Sequence, residues 1–526
     1  MKDQGVMKVL VADPISQEGI EIIKKELDVD IATDLAEEEL IKRIKDYDAL
    51  IVRSGTNVTR KVITAGVRLR VIGRAGAGVD NIDVDAATEK GVIVLNAPGG
   101  NTTSAAEHTI AMMLALSRNI PQANASLKKG KWTRSKFMGV EIQDKTLGII
   151  GLGRVGAEVA KKAHALGMHI LACDPFISVD MAESLGASLV EMDTLLERAD
   201  YVTIHAPRTK DTHHLIGDKQ FERMKNGARI INCARGDIID EGALLKAIKS
   251  GKVAGAALDV FEHEPPEGNP LLELEEVIAT PHLGASTREA QLNVSVAVAE
   301  GVLNAIKCEP VRNAVNMPSI KAEIKPYLTL AEKLGRLCIQ LVDGSIEQID
   351  ITYSGDIAEK ETGPLTIAVL KGILDTMMAG SVNFVNALML AKNRGIKVVE
   401  SKTELSEDFT GLVTVSVKTS REKKSVAGTL FGKKDARIVR INSHRINAVP
   451  SGYMLIAPHI DMPGIIGQVG TLLGDNKINI AGMQVGREFI GGNAVMVLNI
   501  DSAVSDRVLK QIKAIEGIQD IKQVKL

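Results

Sequence analysis

At 526 residues the chain is long enough for about three or four domains, and a composition 45% apolar and 25% charged excludes a disordered or fibrous protein. Lys plus Arg (64) nearly cancels Asp plus Glu (66), so no global field draws the chain to nucleic acid or an anionic membrane, and a small-molecule partner is expected. Cys173, Cys233, Cys308 and Cys338 stand far apart, which argues against a disulfide scaffold or a metal site; with no signal-peptide core and no apolar run of about 18 residues, the expectation is a soluble cytoplasmic protein.

From Lys8 to Leu95, short β-branched runs (VLVAD, ALIV, LRVIG, VIVLN) alternate with helical patterns at Ser16–Glu26 and Leu35–Ile44, a βαβ rhythm. The turn-rich stretch from Asn96 to Asn101 follows. The Ser-x-x-Glu spacing of Ser104 and Glu107 predicts a capping box opening a long apolar helix through Leu116. A second βαβ series runs from Thr146 to about Ile278 through LGIIG, HILACD, YVTIH, ARIINC and VAGAALDV, the pattern of a doubly wound parallel sheet. A helix from Thr287 to Ala305 then returns the chain to the first domain, which is expected to be discontinuous.

Beyond Pro318 come a helix around Tyr327–Val342, an alternating strand IDITYSG, and a stretch with nine Lys/Arg and two Asp/Glu between Lys418 and Arg445. That stretch either holds an anionic effector, with His444 and Arg445, or protects a sheet edge. The last ~75 residues read strand, helix, strand, strand, helix, strand, the order of the ferredoxin-like split βαβ.

GLGRVG (Gly151, Gly153, Gly156) follows the apolar strand Leu147–Ile150 and opens a helix carrying Val155, Val159 and Ala160. The first glycine permits a tight turn, the second lets backbone amides approach a pyrophosphate, and the third lets helix and strand pack closely. Asp174, 23 residues after Gly151, ends the next strand, where a carboxylate accepts from the adenosine ribose hydroxyls and repels the extra phosphate of NADP. Its other reading is a cap on the turn before Pro175. NAD is the expected cofactor.

INCARGDIID, ALDVFEHEPP and ATPHLGAST follow, each at or just beyond the carboxyl end of a strand. Oxidising an alcohol needs a base for the hydroxyl proton, a cation for a substrate carboxylate and an acceptor for hydride. His282, Arg235 and the cofactor meet those needs, and Glu264 is the carboxylate that would orient and tune His282. Singly, each has another reading: Arg235 a surface ion pair, Glu264 a turn residue, His282 a structural histidine.

Together with the fingerprint, CARG, the Glu264-Pro265 pair, TPHLGAST and ALDVF closely resemble the D-isomer-specific 2-hydroxyacid dehydrogenase family over residues 8 to 315. The resemblance implies that Arg235 holds the substrate carboxylate, Glu264 raises the proton affinity of His282, and His282 is the acid/base. It places Gly151, Gly153, Arg154, Val155, Gly156, Asp174, Ala206, Cys233, Ala234, Arg235, Asp259, His282 and Gly284 around NAD. Arg53, Ser54, Arg74, Gly76, Asn101 and Arg134 are the substrate-binding candidates, and this surplus of cations suggests a phosphorylated substrate.

HIDMPGIIGQVGTLLGDNKINIAGMQVGR resembles an ACT regulatory domain, with His459, Asp461 and Asn479 matching effector positions. The middle segment resembles an allosteric substrate-binding domain. This arrangement implies oxidation of 3-phosphoglycerate under feedback by L-serine, in a homodimer or homotetramer; the alternatives are a glycerate or hydroxypyruvate reductase and a non-catalytic NAD sensor. The expected architecture is α/β: a substrate domain (1–98 and 286–316) and an NAD-binding domain (99–285), both Rossmann-like and doubly wound. An α+β intervening domain (317–450) and a ferredoxin-like ACT domain (452–526) follow.

Overall fold

The computed structural model describes residues 7–307, 309, 311–378, 382–405, 408–432 and 434–526, so Cys308 lies outside the described residues. Four sheets follow one another along the chain. The first consists of β1 (Lys8–Val11), β2 (Asp28–Ile31), β3 (Ala49–Val52), β4 (Val71–Arg74) and β5 (Ile93–Asn96), all parallel in the order β2-β1-β3-β4-β5. β3 is buried along its whole length, as expected where helices cover both faces of a parallel sheet. β2 has no counterpart in the sequence reading, because DVDI is a charged edge strand rather than an apolar run.

The second sheet comprises β6 (Thr146–Ile150), β7 (His169–Cys173), β8 (Ala187–Leu189), β9 (Tyr201–Ile204), β10 (Ala228–Asn232), β11 (Val253–Leu258) and β12 (Val277–Ala279). Its order, β12-β11-β10-β9-β6-β7-β8, reverses between β6 and β9. At such a switch point the loops part at the carboxyl ends of the strands, leaving a crevice.

After β12 the helix Arg288–Ile306, capped by Thr287, inserts Val294, Val298 and Val302 among Val9, Ile51, Val71 and Leu95 of the first sheet's core. A Cβ on Gly73 of β4 would lie 2.6 Å from Val298 Cγ1, so glycine there lets helix and strand touch. The chain thus returns to the sheet it started from, and Leu95 bridges to Ala314.

The expected helix start at Ser104 is corrected. The helix spans Thr102–Ser117, and Ser104 lies inside its first turn, buried, donating its hydroxyl to Gly284 O at 2.8 Å. Glu107 faces Lys162 at 3.6 Å instead of closing a cap. The spacing fits a local cap, but both side chains are used by the packing of distant segments.

The third sheet, in the order β14-β13-β15-β16-β17-β18, joins β13 (Ile346–Gly355), β14 (Lys397–Thr403), β15 (Gly411–Thr419), β16 (Lys423–Phe431), β17 (Asp435–Ile441) and β18 (His444–Ala448). The helices Lys325–Gln340 and Gly363–Met378 cross at two glycines: Cβ atoms on Gly335 and Gly372 would lie 2.2 Å and 2.0 Å from carbonyl oxygens of the facing helix. In the basic stretch, Lys423 pairs with Asp350, Lys424 with Glu422, Arg437 with Asp435 and Arg445 with Asp408.

The fourth sheet, antiparallel in the order β20-β21-β19-β22, holds β19 (Tyr453–Ile460), β20 (Ile480–Arg487), β21 (Asn493–Ile500) and β22 (Lys522–Lys525), with helices Ile465–Asp475 and Asp506–Lys513. This is the ferredoxin-like arrangement. Met454, Ile456, Val495, Val497 and Val524 share one core with the third sheet's helices. No helix of the described residues is long and apolar enough to cross a membrane.

Candidate active site

Gly151 follows β6 at φ +91°, where a Cβ would lie 2.8 Å from His205 O. A Cβ on Gly156 would lie 2.1 Å from Gly151 O, so the turn and the helix behind it close together only with glycine at both positions. At Gly153, which caps the helix Arg154–Ala165, the space a Cβ would fill is open. Backbone amides at a helix start, with room for close approach, fit the pyrophosphate of a dinucleotide. Arg154 donates to Pro98 O at 3.1 Å, tying the glycine turn to the segment leaving the first sheet.

Asp174 does two things at once. Its Oδ1 accepts from Phe176 N at 2.8 Å, the cap on the turn at Pro175, and its Oδ2 accepts from Leu152 N at 2.8 Å. The carboxylate therefore fastens the glycine turn to the end of β7, where the ribose of a bound NAD would lie.

The segments after β9, β10 and β11 carry Ala206, the Cys233–Arg235 turn and Asp259. Asn232 shapes that turn by accepting from Ala234 N (3.0 Å) and donating to Arg235 O (2.9 Å). Burial, then the charge of Asp259, pushes the Cys233 thiol up to about 12, so it stays protonated and supplies no nucleophile. Asp259, expected beside the cofactor, is wholly enclosed. Its Oδ1 accepts from Leu283 N (2.7 Å) and Thr280 Oγ1 (2.5 Å) and faces His108 Nε2 at 3.1 Å, while Oδ2 accepts from Gly284 N (2.8 Å). It holds the 280–284 loop in place.

That loop carries His282 at φ +53°, an unusual backbone for a non-glycine residue, fixed by His282 N donating to Asp259 O at 2.9 Å. Its Nδ1 lies 2.8 Å from Glu264 Oε2. Burial pushes the Glu264 carboxyl up, but the hydrogen bond and charge of His282 and the amide of Phe261 hold it below the usual carboxylate range.

Between the two sheets lies a cavity of about 310 Å³, lined by Arg53, Ser54, Arg74, Gly76, Asn101, Arg235, Glu264 and His282 among others. Arg53 belongs to a loop pinned by Asp13, whose Oδ2 accepts from Arg53 N (2.5 Å) and Thr56 N (3.1 Å), and by Asn81, which donates to Arg53 O (2.6 Å). Arg74 is mostly buried. Desolvation, then the charges of Arg235 and, after the opposing pull of Asp80, of Arg53, lower its pKa to about 10, so it remains a cation at neutral pH. Cβ atoms on Gly76 and Gly78 would lie 1.8 Å from Arg74 Nη1 and 1.9 Å from Arg235 Nη2.

Arg235 donates through Nε to Asp80 Oδ2 (2.8 Å) and through Nη1 to Ala234 O (2.7 Å). Asp80, Gly78 and Arg208 line the cavity but were missed from sequence. Gly78 had a signal, the glycine spacing of RAGAGVDN; Asp80 had none, its partner being 155 residues away. Arg134 does not join them: it sits in an exposed turn, Arg134–Phe137, outside the cavity, and the neighbouring Lys136 pairs with Glu275 at 3.0 Å.

Nor does one chain unite the effector candidates. His459 and Asp461 lie where β19 faces Asn493, and Asn479 lies beside Asp501 at the other end of β21, about 23 Å along the strand. Asp461 pairs with Arg487 at 3.1 Å, and Asn479 donates to Asp501 at 2.8 Å.

Family models match three segments: a D-isomer specific 2-hydroxyacid dehydrogenase NAD binding domain over residues 110–284, a D-3-phosphoglycerate dehydrogenase intervening domain over 323–442, and an ACT domain over 454–517. The D-3-phosphoglycerate dehydrogenase of Archaeoglobus fulgidus is 51% identical over 99% of this chain and 100% of its own length. The chain belongs to the D-3-phosphoglycerate dehydrogenase family. It is an NAD-dependent dehydrogenase. The D-3-phosphoglycerate dehydrogenase of Methanocaldococcus jannaschii is 48% identical over 99% of this chain and 100% of its own length. A solved D-lactate dehydrogenase from Aquifex aeolicus, complexed with NAD and lactic acid, is 29% identical with a TM-score of 0.54, covering 59% of this chain and 100% of that one. The family frame thus extends from the two parallel sheets through the ACT domain.

Proposed function

We propose that the chain oxidises D-3-phosphoglycerate to 3-phosphohydroxypyruvate, the first committed step of L-serine biosynthesis, in the cytoplasm. The observation that carries this reading is the convergence of Arg53, Arg74 and Arg235 on the cavity that holds the His282–Glu264 pair. A substrate with one carboxylate needs one cation; a phosphorylated one needs several.

In this mechanism Arg235, braced by Asp80, binds the substrate carboxylate, and Arg53 and Arg74 receive the phosphate. His282 takes the C2 hydroxyl proton on its outer nitrogen, Nε2, while Glu264 on Nδ1 fixes the ring and favours the imidazolium that forms. NAD, held by Gly151–Gly156 and Asp174, supplies the acceptor for the C2 hydride. Asp259 keeps His282 where it can reach the substrate hydroxyl.

The separation of Asp461 from Asn479 fits regulation by L-serine bound between the ACT domains of two copies, and we assign the working form as a homo-oligomer on that basis. Following NADH absorbance with 3-phosphoglycerate, D-glycerate and D-lactate tests the activity: 3-phosphoglycerate is expected to give the highest kcat/KM. Equal or better use of D-glycerate makes the chain a glycerate or hydroxypyruvate reductase, and silence with all three makes it a sensor. Serine titration tests the control, and no inhibition at millimolar serine removes that part.

A further inference from the structure

Four arginines from four separate segments line the cavity, and the fourth, Arg208, has no role in the mechanism above. It follows β9 on the segment that carries Ala206, with its side chain about half exposed. Its Nε lies 2.7 Å from Asp237 Oδ2, another residue lining the cavity. Nε is its nearest nitrogen to Asp237, and a guanidinium fork matches an oxyanion bidentately.

The pair is not what holds its loop. His214 N donates to Asp237 O (2.9 Å), Ile216 N to Ile238 O (3.0 Å) and Asp240 N to Ile216 O (2.9 Å), fastening the segment after Arg208 to the segment after Arg235 through backbone hydrogen bonds. The guanidinium is half exposed, while the Asp237 carboxylate it faces is mostly buried. The pair places a cation on the wall of a cavity that Arg235 also lines.

The charge balance points the same way. A phosphorylated hydroxy acid brings close to three negative charges at neutral pH, one from its carboxylate and up to about two from its phosphate. Arg53, Arg74 and Arg235 supply three cations, of which Arg235 shares its charge with Asp80 as Arg208 does with Asp237. We propose that Arg208, aimed by Asp237, is a phosphate-recognising residue of this cleft and sets the preference for phosphorylated over unphosphorylated hydroxy acids. This rests on the reading that 3-phosphoglycerate is the substrate.

Steady-state kinetics of the full-length wild type, Arg208→Ala and Arg208→Lys, with 3-phosphoglycerate, D-glycerate and NAD varied in turn, test it. Arg208→Ala should raise KM for 3-phosphoglycerate about tenfold to a hundredfold, the loss expected for one or two charged hydrogen bonds. The values of kcat, of KM for NAD and of kcat/KM for D-glycerate should change less than about threefold on the same scale. Arg208→Lys should recover part of the loss, and inorganic phosphate should compete with 3-phosphoglycerate less well in Arg208→Ala than in the wild type. Equal losses with both acids, or a loss confined to NAD, overturn the proposal and make Arg208 a structural or cofactor-facing residue. A wild type that turns over D-glycerate but not 3-phosphoglycerate overturns the substrate reading itself, and this inference with it.

Discussion

A Cβ on Gly78 would lie 1.9 Å from Nη2 of Arg235. The two residues come from different sheets, and the side chain proposed to bind the substrate carboxylate runs through the space that a side chain at position 78 would take. Gly78→Ala should therefore leave the fold standing, because the displaced atom is the end of a flexible side chain. Arg235 would leave Asp80, and displacement of about 1 Å at a catalytic group costs on the order of a hundredfold. The expected result is kcat/KM for 3-phosphoglycerate down about a hundredfold, with the thermal midpoint within a few degrees of wild type. Unchanged kinetics would mean that the guanidinium binds equally well from another position.

For the acid/base pair, His282→Ala should lower kcat by about a hundredfold to ten-thousandfold while the NAD dissociation constant, read by fluorescence titration, stays close to wild type. Glu264→Gln keeps a hydrogen-bonding group beside Nδ1 but removes the anion that offsets the charge the ring takes up in the reaction, so the whole pH profile of kcat should be lowered, by about tenfold to a hundredfold. Because His282 and the Phe261 amide outweigh burial in holding Glu264 below the usual carboxylate range, its charge should persist across the neutral range and fade only in acid. A Glu264→Gln profile superimposable on wild type would leave Glu264 a turn residue.

Asp174→Ala removes the acceptor of two backbone amides as well as a negative charge beside the ribose site. Both effects predict a higher KM for NAD, and the loss of charge predicts weaker discrimination against NADP. Two partly exposed hydrogen bonds are worth about 1–3 kcal/mol together, so a modest fall in the thermal midpoint should accompany the change. Discrimination equal to wild type would assign Asp174 to the turn alone.

His205, just past β9 with Nε2 3.0 Å from Thr203 Oγ1, is held neutral: burial lowers its pKa to about 4. In the unfolded chain an imidazole titrates near 6.5. Between those values the unfolded state binds more protons than the folded one, so stability should fall as pH drops from about 6.5 toward 4, by up to about 3 kcal/mol from this residue. Thermal unfolding of wild type and His205→Gln from pH 7 to pH 4.5 checks it: the variant should show the flatter dependence, and parallel curves would remove His205 as the cause.

The division between sequence and structure follows the range of the interactions. Apolar runs, glycine spacings and the Glu264-Pro265 and TPHLGAST segments are local, and they were enough to indicate a double Rossmann architecture, a dinucleotide turn and a histidine with a carboxylate partner. Side chains whose meaning depends on a residue far along the chain were misread or missed. The Ser104–Glu107 spacing predicts a cap, yet Ser104 bonds to Gly284; nothing local shows that Asp259 fastens Thr280, Leu283 and Gly284 and faces His108. Asp80 carried no local signal for Arg235, and Arg208 gained significance only when β9 and β10 brought it beside Asp237. A hydrogen bond needs partners within about 3 Å, whereas a sequence orders residues only along the chain, so folding decides which distant pairs meet.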